Sequence, residues 1–212
     1  MAFHYVAVEG PIGVGKTTVV DLLAERLDAN KVLEDWSTNP FLRPFYDGKP
    51  GVAFQAELFF LLSRYRQQQE LTQRKLFTQA TLVDYVFEKS RLFAYLNLDD
   101  SELLIFDKLF SLLSESVPKP DLVVYLQAPT EVLMKRVKAR GRPEETSFAE
   151  EYLAEVNRAY NHYFFHYSTT PLLVVNTADV DFVRNPEDTD DLLKQIRGMG
   201  KGTQYYVPRS RS

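Results

Sequence analysis

Eight residues near the start, Gly10-Pro11-Ile12-Gly13-Val14-Gly15-Lys16-Thr17, fit the spacing G-x-x-x-x-G-K-[ST]. These residue types suit one task. Glycines let successive backbone N–H groups turn inward without side-chain clash, making an anion nest at a helix N-terminus. Lys16 supplies a point charge for the β- and γ-phosphates, and the Thr17 hydroxyl is an oxygen ligand for Mg²⁺. The motif with the adjoining Thr18 is therefore a candidate site for a nucleoside triphosphate. Its context is the required one, an apolar run before it (residues 3–8) and a helical pattern after it (16–27), with Val19, Val20, Leu23 and Leu27 in phase. The motif leaves open what becomes of the γ-phosphate.

Strand and helix signals alternate along the rest of the chain, which predicts an α/β fold on a parallel sheet. Residues 81–83, ending in Asp84, 122–126, bounded by Pro120 and Pro129, and 172–175 read as strands. Residues 54–76, 131–140, 149–165 and 188–197 read as helices. Leu103-Leu104-Ile105-Phe106-Asp107 could be a strand ending in a metal ligand. The apolar positions continue through Leu109, Phe110, Leu112 and Leu113, however, and Asp99, Asp100 and Ser101 offer caps, so a buried helix is predicted. Residues 1–197 are expected to form one domain, and 198–212, with clustered glycines and Arg-Ser repeats, a mobile tail.

With 45% hydrophobic and 25% charged residues over 212 positions, the composition is that of one globular core with room for a lid. The absence of cysteine excludes a disulfide framework, a thiol nucleophile and a thiolate zinc site. A net charge of −4 argues against a nucleic-acid or anionic-membrane binder. Apolar runs such as 58–62 are far shorter than the roughly 18 residues that span a bilayer. No basic leader precedes the first strand, so a soluble cytoplasmic protein is expected.

A nucleotide switch would need guanine recognition. Asn176-Thr177-Ala178-Asp179 resembles the Asn-Lys-x-Asp guanine motif but lacks its lysine, and no aspartate stands three residues before a glycine. A DNA-acting ATPase would be larger and less acidic. A small-molecule kinase needs a carboxylate at the acceptor hydroxyl and an arginine lid, and this chain offers both. Arg136, Arg140 and Arg142 lie at the end of one predicted helix and in the loop after it, where guanidinium groups can neutralise charge spreading over a transferring phosphoryl group.

From Val6 to about Val175 the chain resembles the deoxyribonucleoside kinases, particularly their bacterial deoxyadenosine/deoxyguanosine branch. The resemblance is carried by Val8-Glu9-Gly10-Pro11-Ile12-Gly13, Asn39-Pro40-Phe41-Leu42 with Phe45-Tyr46-Asp47, and Phe54-Gln55-Ala56-Glu57-Leu58-Phe59-Phe60. It continues through Asp84-Tyr85, Pro118-Lys119-Pro120-Asp121 and Arg140-Gly141-Arg142-Pro143. It implies a P-loop kinase fold with a five-stranded parallel sheet flanked by helices, an Arg-rich lid, ATP and Mg²⁺ as cofactors, and a homodimer through long helices. The implied reaction is phosphorylation of a deoxynucleoside 5′-hydroxyl, purine favoured.

Carried over residue by residue, Glu34 matches the general base, ahead of its neighbour Asp35. Gln55 matches the base-reading amide, and Tyr46 and Glu145 the pair at the sugar 3′-hydroxyl. Where animal and viral relatives have Glu-Arg-Ser, this chain has Asp84-Tyr85-Val86. Asp84 is kept as a substrate-site residue and Mg²⁺ ligand beside Thr17. Arg64 and Lys89 are the candidates for the missing positive charge. A nucleoside monophosphate kinase, the alternative chemistry, would want an added arginine where Tyr85 stands. Trp36, Phe59, Phe77 and Phe87 could line a base pocket, although each alone fits core packing as well. His162 and His166, four apart, make at most half a zinc site. Arg209 and Arg211 are weak evidence for a polyanion.

Overall fold

The computed structural model describes residues 3–74, 80–145, 147 and 149–208. Its centre is β1 (Tyr5–Glu9), five residues that are all buried. It pairs in parallel with β3 (Thr81–Val83) on one side and β4 (Leu122–Gln127) on the other. Outward from these lie β2 (Asn30–Val32), β5 (Leu172–Asn176) and β6 (Thr203–Tyr206), giving the order β2-β3-β1-β4-β5-β6. A strand whose two edges are both paired and whose faces are both covered reads as a near-continuous apolar run, which is why Tyr5–Val8 show no polar alternation ahead of the buried Glu9.

Pleating sends alternate side chains to opposite faces. Val6 and Val8, with Val124 and Leu126, join one core, against Val19, Val20 and Leu23 of α1 (Lys16–Leu27), Leu133 and Val137 of α6 (Thr130–Arg140), and Leu192 and Ile196 of α8 (Pro186–Gly198). Ala7, Val123 and Tyr125 join the other, against Phe93 of α4 (Lys89–Asn97) and Val156, Tyr160 and Phe164 of α7 (Glu150–Phe165). A third cluster, Leu61, Phe87, Ala94, Phe106 and Phe110, ties α3 (Ala53–Arg74) and α4 to α5 (Asp100–Ser114). The short α2 (Leu42–Tyr46) and a 3₁₀ turn, Pro143–Glu145, face one another across the mouth of the site described below.

Asp107 lies on α5, a helix as the periodicity predicts but not the buried one expected, since it buries only Phe106 and Phe110 and exposes Leu104, Ile105 and Leu112. Asp107 pairs with Arg91 at 3.0 Å. The helix starts at the expected cap: Asp99 accepts from the Ser101 and Glu102 N–H groups, and Glu102 reaches back to the Asp99 N–H. The expected sheet needs one correction, from five strands to six, because Thr203–Tyr206 of the presumed tail is β6. It docks in register on β5, Leu172 with Thr203 and Val175 with Tyr206, and Tyr206 packs on the first core. The glycines that suggest mobility instead make the return from α8, Gly202 taking φ 81°. Arg209 and Arg211 lie outside the described residues, as does Phe77. Strand β2, Asn-Lys-Val, has no apolar run to betray it and holds its place by pairing with β3.

Deleting residues 201–212 would strip β6 from the β5 edge. A few lost backbone hydrogen bonds at about 1 kcal/mol each should lower the melting temperature by roughly 6–12 °C. Differential scanning calorimetry of the truncated chain checks this, and an unchanged midpoint would mean that β6 contributes nothing to the sheet.

Candidate active site

A cavity of about 730 Å³ opens at the C-terminal ends of the strands, lined by the turn after β1, Glu34 and Trp36 after β2, Asp84 after β3, the end of α6, and Thr177 after β5. Open parallel sheets place ligands there because the loops diverge at that end and helix N-termini point into it. The backbone of the first turn demands its glycines. Gly13 takes φ 85°, and a Cβ there would stand 2.8 Å from the Leu133 carbonyl oxygen. A Cβ on Gly10 would stand 2.3 Å from the Leu126 carbonyl oxygen. The turn thus lies directly on β4 and α6, with α1 beginning immediately after it.

Lys16 donates to the Gly10 carbonyl at 2.6 Å and the Pro11 carbonyl at 3.2 Å. Burial pushes its ammonium down to about 8, and the neighbouring Lys89 adds to that. An anion in the cradle reverses both penalties. Thr17 Oγ1 donates to Asp84 Oδ2 at 2.8 Å, and Asp84 Oδ1 accepts from the Glu34 backbone N–H at 2.6 Å. Asp84 therefore joins the phosphate loop to the segment carrying Glu34. A hydroxyl and a carboxylate side by side at a triphosphate site form a hard-oxygen donor set of the kind Mg²⁺ takes when phosphates and water complete its shell.

Glu34 has a cation on each oxygen. Oε1 accepts from Arg64 Nε at 2.7 Å, and Oε2 accepts from Lys89 Nζ at 2.7 Å. Arg64 is fixed in turn by Ser90 Oγ at 2.8 Å and lies over the Phe60 ring. Burial works to raise the Glu34 carboxyl, but Arg64 and then Lys89 overcome it and hold the group far below the usual carboxylate range. Both candidates for the missing arginine are thus at the site. Tyr85 is not: it has 0% exposure and packs with Tyr5, Leu71 and Val83.

The arginines expected to form a lid have partners within the chain. Arg140 Nη2 donates to both Glu145 oxygens, at 2.6 and 2.7 Å. Arg142 lies over the Trp36 ring at 3.8 Å. Arg136 donates to the carbonyls of Val14, Thr177 and Val180, so it braces the phosphate loop against the loop after β5 while lining the cavity. Ser147 reaches across to Asp47 at 2.9 Å, tying the lid to the end of α2. Tyr46 and Glu145 line the cavity together, as the resemblance implies.

Gln55 does not. It is exposed, and Glu57 lines the cavity instead. The reason is helical phase: at 3.6 residues per turn, Ala56, Glu57, Phe60 and Arg64 share the inward stripe of α3, and Gln55 falls outside it. Phe87 stacks on Phe110 in the core, Trp36 faces the cavity, and Phe59 is not among its lining residues. Sequence reasoning also missed Phe45, Phe93 and Tyr152 in the wall and the loop after β5, from Thr177 to Val183. Two decoys resolve as structure. Asn176 Oδ1 accepts from the Ala178 N–H in a turn, and His166 Nδ1 lies 2.9 Å from the His162 carbonyl. No cluster of three or more His, Cys, Asp or Glu suited to a metal occurs among the described residues. No helix among them is long and apolar enough to cross a membrane.

Sheet order, phosphate loop and flanking helices define a P-loop kinase fold. The model of the deoxynucleoside kinase family matches residues 6–199, and the chain belongs to that family. Among its relatives are a deoxyguanosine kinase of Bacillus subtilis, 32% identical over 91% of this chain and 96% of that protein, and a deoxyadenosine kinase of Lactobacillus acidophilus, 28% identical over 90% and 94%. A solved structure of deoxyadenosine kinase from M. mycoides with bound dATP shares the fold at TM-score 0.77 and 20% identity, covering 91% of this chain and 98% of that one.

Lys89→Met would leave Arg64 to offset the burial of Glu34 alone. The carboxyl should rise toward the ordinary range, so the variant's kcat/KM should fall more steeply than the wild type's between about pH 5.5 and pH 4. Superimposable acid limbs would refute the pairing.

Proposed function

We propose that the protein transfers the γ-phosphoryl group of ATP to the 5′-hydroxyl of a purine deoxynucleoside, giving the 5′-monophosphate for nucleotide salvage. The observation that carries this reading is a carboxylate held ionised by two cations in the same cavity as the phosphate-loop lysine. Lys16 and the N–H groups of residues 10–18 hold the triphosphate. Thr17 and Asp84 would hold Mg²⁺, which would neutralise charge on the phosphate oxygens. Glu34 orients the attacking hydroxyl and takes its proton as the O–P bond forms and the bond to the departing diphosphate breaks. A low carboxyl pKa suits that role, because in a loose transition state the nucleophile keeps its proton until late. The acceptor must then be always ionised rather than strongly basic.

Tyr46 and Glu145 hold the 3′-hydroxyl and leave no room beside C2′, favouring deoxyribose. Arg140 and Arg142 close over the transferring group. The deoxyguanosine and deoxyadenosine kinases among the relatives support the purine preference. The burial of Tyr85 weighs against a monophosphate kinase, which would want a cation there for the acceptor phosphate.

Residues 1–197, with β6 added at the sheet edge, are read as one domain, working in the cytoplasm as a homodimer. Leu104, Ile105 and Leu112 expose an apolar stripe on α5, and Leu62 is exposed on the adjacent α3, a face suited to a second copy.

Two measurements test this reading. Glu34→Gln should retain ATP affinity while kcat falls by roughly 10²–10⁴ in a radiolabel transfer assay over nucleosides and monophosphates; near-normal kcat would remove Glu34 from the reaction. Leu104→Lys with Ile105→Lys should convert a dimer to a monomer by light scattering, and a wild-type monomer would remove the dimer.

A further inference from the structure

Trp36 is the chain's one tryptophan, and it stands in the cavity wall two residues after Glu34. The segment that carries it is anchored at both ends. Asp84 Oδ1 accepts from the Glu34 N–H at 2.6 Å, and Asn39 Nδ2 donates to the Ala56 carbonyl of α3 at 3.1 Å. Between them the Asn39 N–H donates back to the Trp36 carbonyl at 3.3 Å. The indole is thus a fixed platform. Over it, with Cζ 3.8 Å from the ring centroid, lies the guanidinium of Arg142, in the loop after α6. Arg142 has a competitor for the acid beside it. Arg140 Nη2 takes both Glu145 oxygens, at 2.6 and 2.7 Å, while Arg142 Nη1 stands 3.7 Å from Oε1. That distance is too long for a hydrogen bond, and a long ion pair to a side chain 25% exposed gives little direction. Of these two partners the ring is the better placed, well inside the roughly 6 Å reach of a cation–π contact and of the residue type that makes the strongest ones.

We propose that Trp36 is a positioning residue for phosphoryl transfer, its indole face setting where the Arg142 guanidinium stands in the cavity. The inference rests on the kinase reading above and on Arg142 acting at the transferring group. A cation–π contact consumes no N–H, because the ring attracts the charge of the guanidinium while its donors lie in its own plane. A guanidinium seated on a ring can therefore donate to a phosphate oxygen with the seat intact, whereas one held by a carboxylate must exchange one oxygen for another. An unseated arginine on a loop would sample many rotamers, and each misplacement costs rate. The location of the seat matters as well. Glu34 and Trp36 lie on one anchored segment, so the carboxylate that meets the attacking hydroxyl and the surface that seats the arginine keep a fixed relation.

The test is a double-mutant cycle read on kcat. Trp36→Leu should lower kcat roughly 3- to 30-fold, the size of a cation–π contact, with the deoxynucleoside KM within about threefold of the wild type's. Trp36→Phe keeps a ring and should recover most of the loss. In an Arg142→Ala background, Trp36→Leu should cost no further kcat, because the group through which the ring acts is already gone. An equal fold-loss in both backgrounds overturns the inference. So does a loss confined to the deoxynucleoside KM, which would make the ring a wall for the nucleoside instead. A second readout needs no turnover. With one tryptophan in the chain, Arg142→Ala should uncover the indole to water and move its emission to longer wavelength. An unchanged spectrum would remove the contact on which the inference stands. Absence of turnover in the wild type would take down the kinase reading and the inference with it, while the emission shift would still report the contact.

Discussion

A buried carboxylate that must stay ionised constrains the whole arrangement. Isolated in a low-dielectric wall, Glu34 would take up a proton. Two cations prevent that, and each has to be delivered by a different helix: Arg64 by α3 and Lys89 by α4. Neither cation could be buried alone, at 3% and 6% side-chain exposure. The three groups are therefore mutually obligatory, and removing one partner of such a cluster typically costs about 3–5 kcal/mol. The packing of Leu61, Phe87 and Ala94 that binds α3 to α4 is, in this light, the device that keeps Arg64 and Lys89 within reach of one carboxylate.

The sheet supplies the other half of the geometry. Lys16, Glu34 and Asp84 follow β1, β2 and β3, and the parallel register of those strands brings their C-terminal ends level. Asp84 then accepts from Thr17 on one side and from the Glu34 backbone on the other, so the triphosphate cradle and the carboxylate share a single hinge point. Glu9, fully buried at the end of β1, adds a second tie, accepting from the Gly10 and Val86 N–H groups. Both carboxylates saturate backbone donors that the loops would otherwise leave unpaired, which fixes the loops without secondary structure of their own.

What the sequence made legible follows from range. The phosphate loop is a contiguous motif whose strand and helix are its neighbours, so residue types and spacing suffice. The Asp99 cap is equally local. The partners of Glu34 lie 30 and 55 residues away, and nothing in the spacing joins them to it. They entered only as two basic residues near a missing arginine. Gln55 failed for a subtler reason. The motif Phe54-Gln55-Ala56-Glu57 fixes the residues but not the rotation of α3, and two positions on a helix turn the side chain by more than half a circle. Strands β2 and β6 were hidden because edge strands with polar residues carry no hydrophobic period, and only their pairing identifies them.

The arginines at and after the end of α6 are held without exposing bare charge. Arg140 gives Glu145 its hydrogen bonds, and Arg142 rests on the Trp36 face, so neither guanidinium is bare before a triphosphate arrives. Drawing Arg140 onto a phosphate exchanges one anionic oxygen for another, which conserves the pairing and keeps the reorganisation small. Glu145, which Arg142 also approaches at 3.7 Å, lines the cavity with Tyr46. The positive φ of Gly141, 63°, ends α6 between the two arginines, so Arg140 sits on a packed helix and Arg142 in the loop after it. The segment after α6 is also attached to α2 through the Ser147–Asp47 hydrogen bond, so one stretch of chain joins the end of α6 to the opposite wall of the cavity.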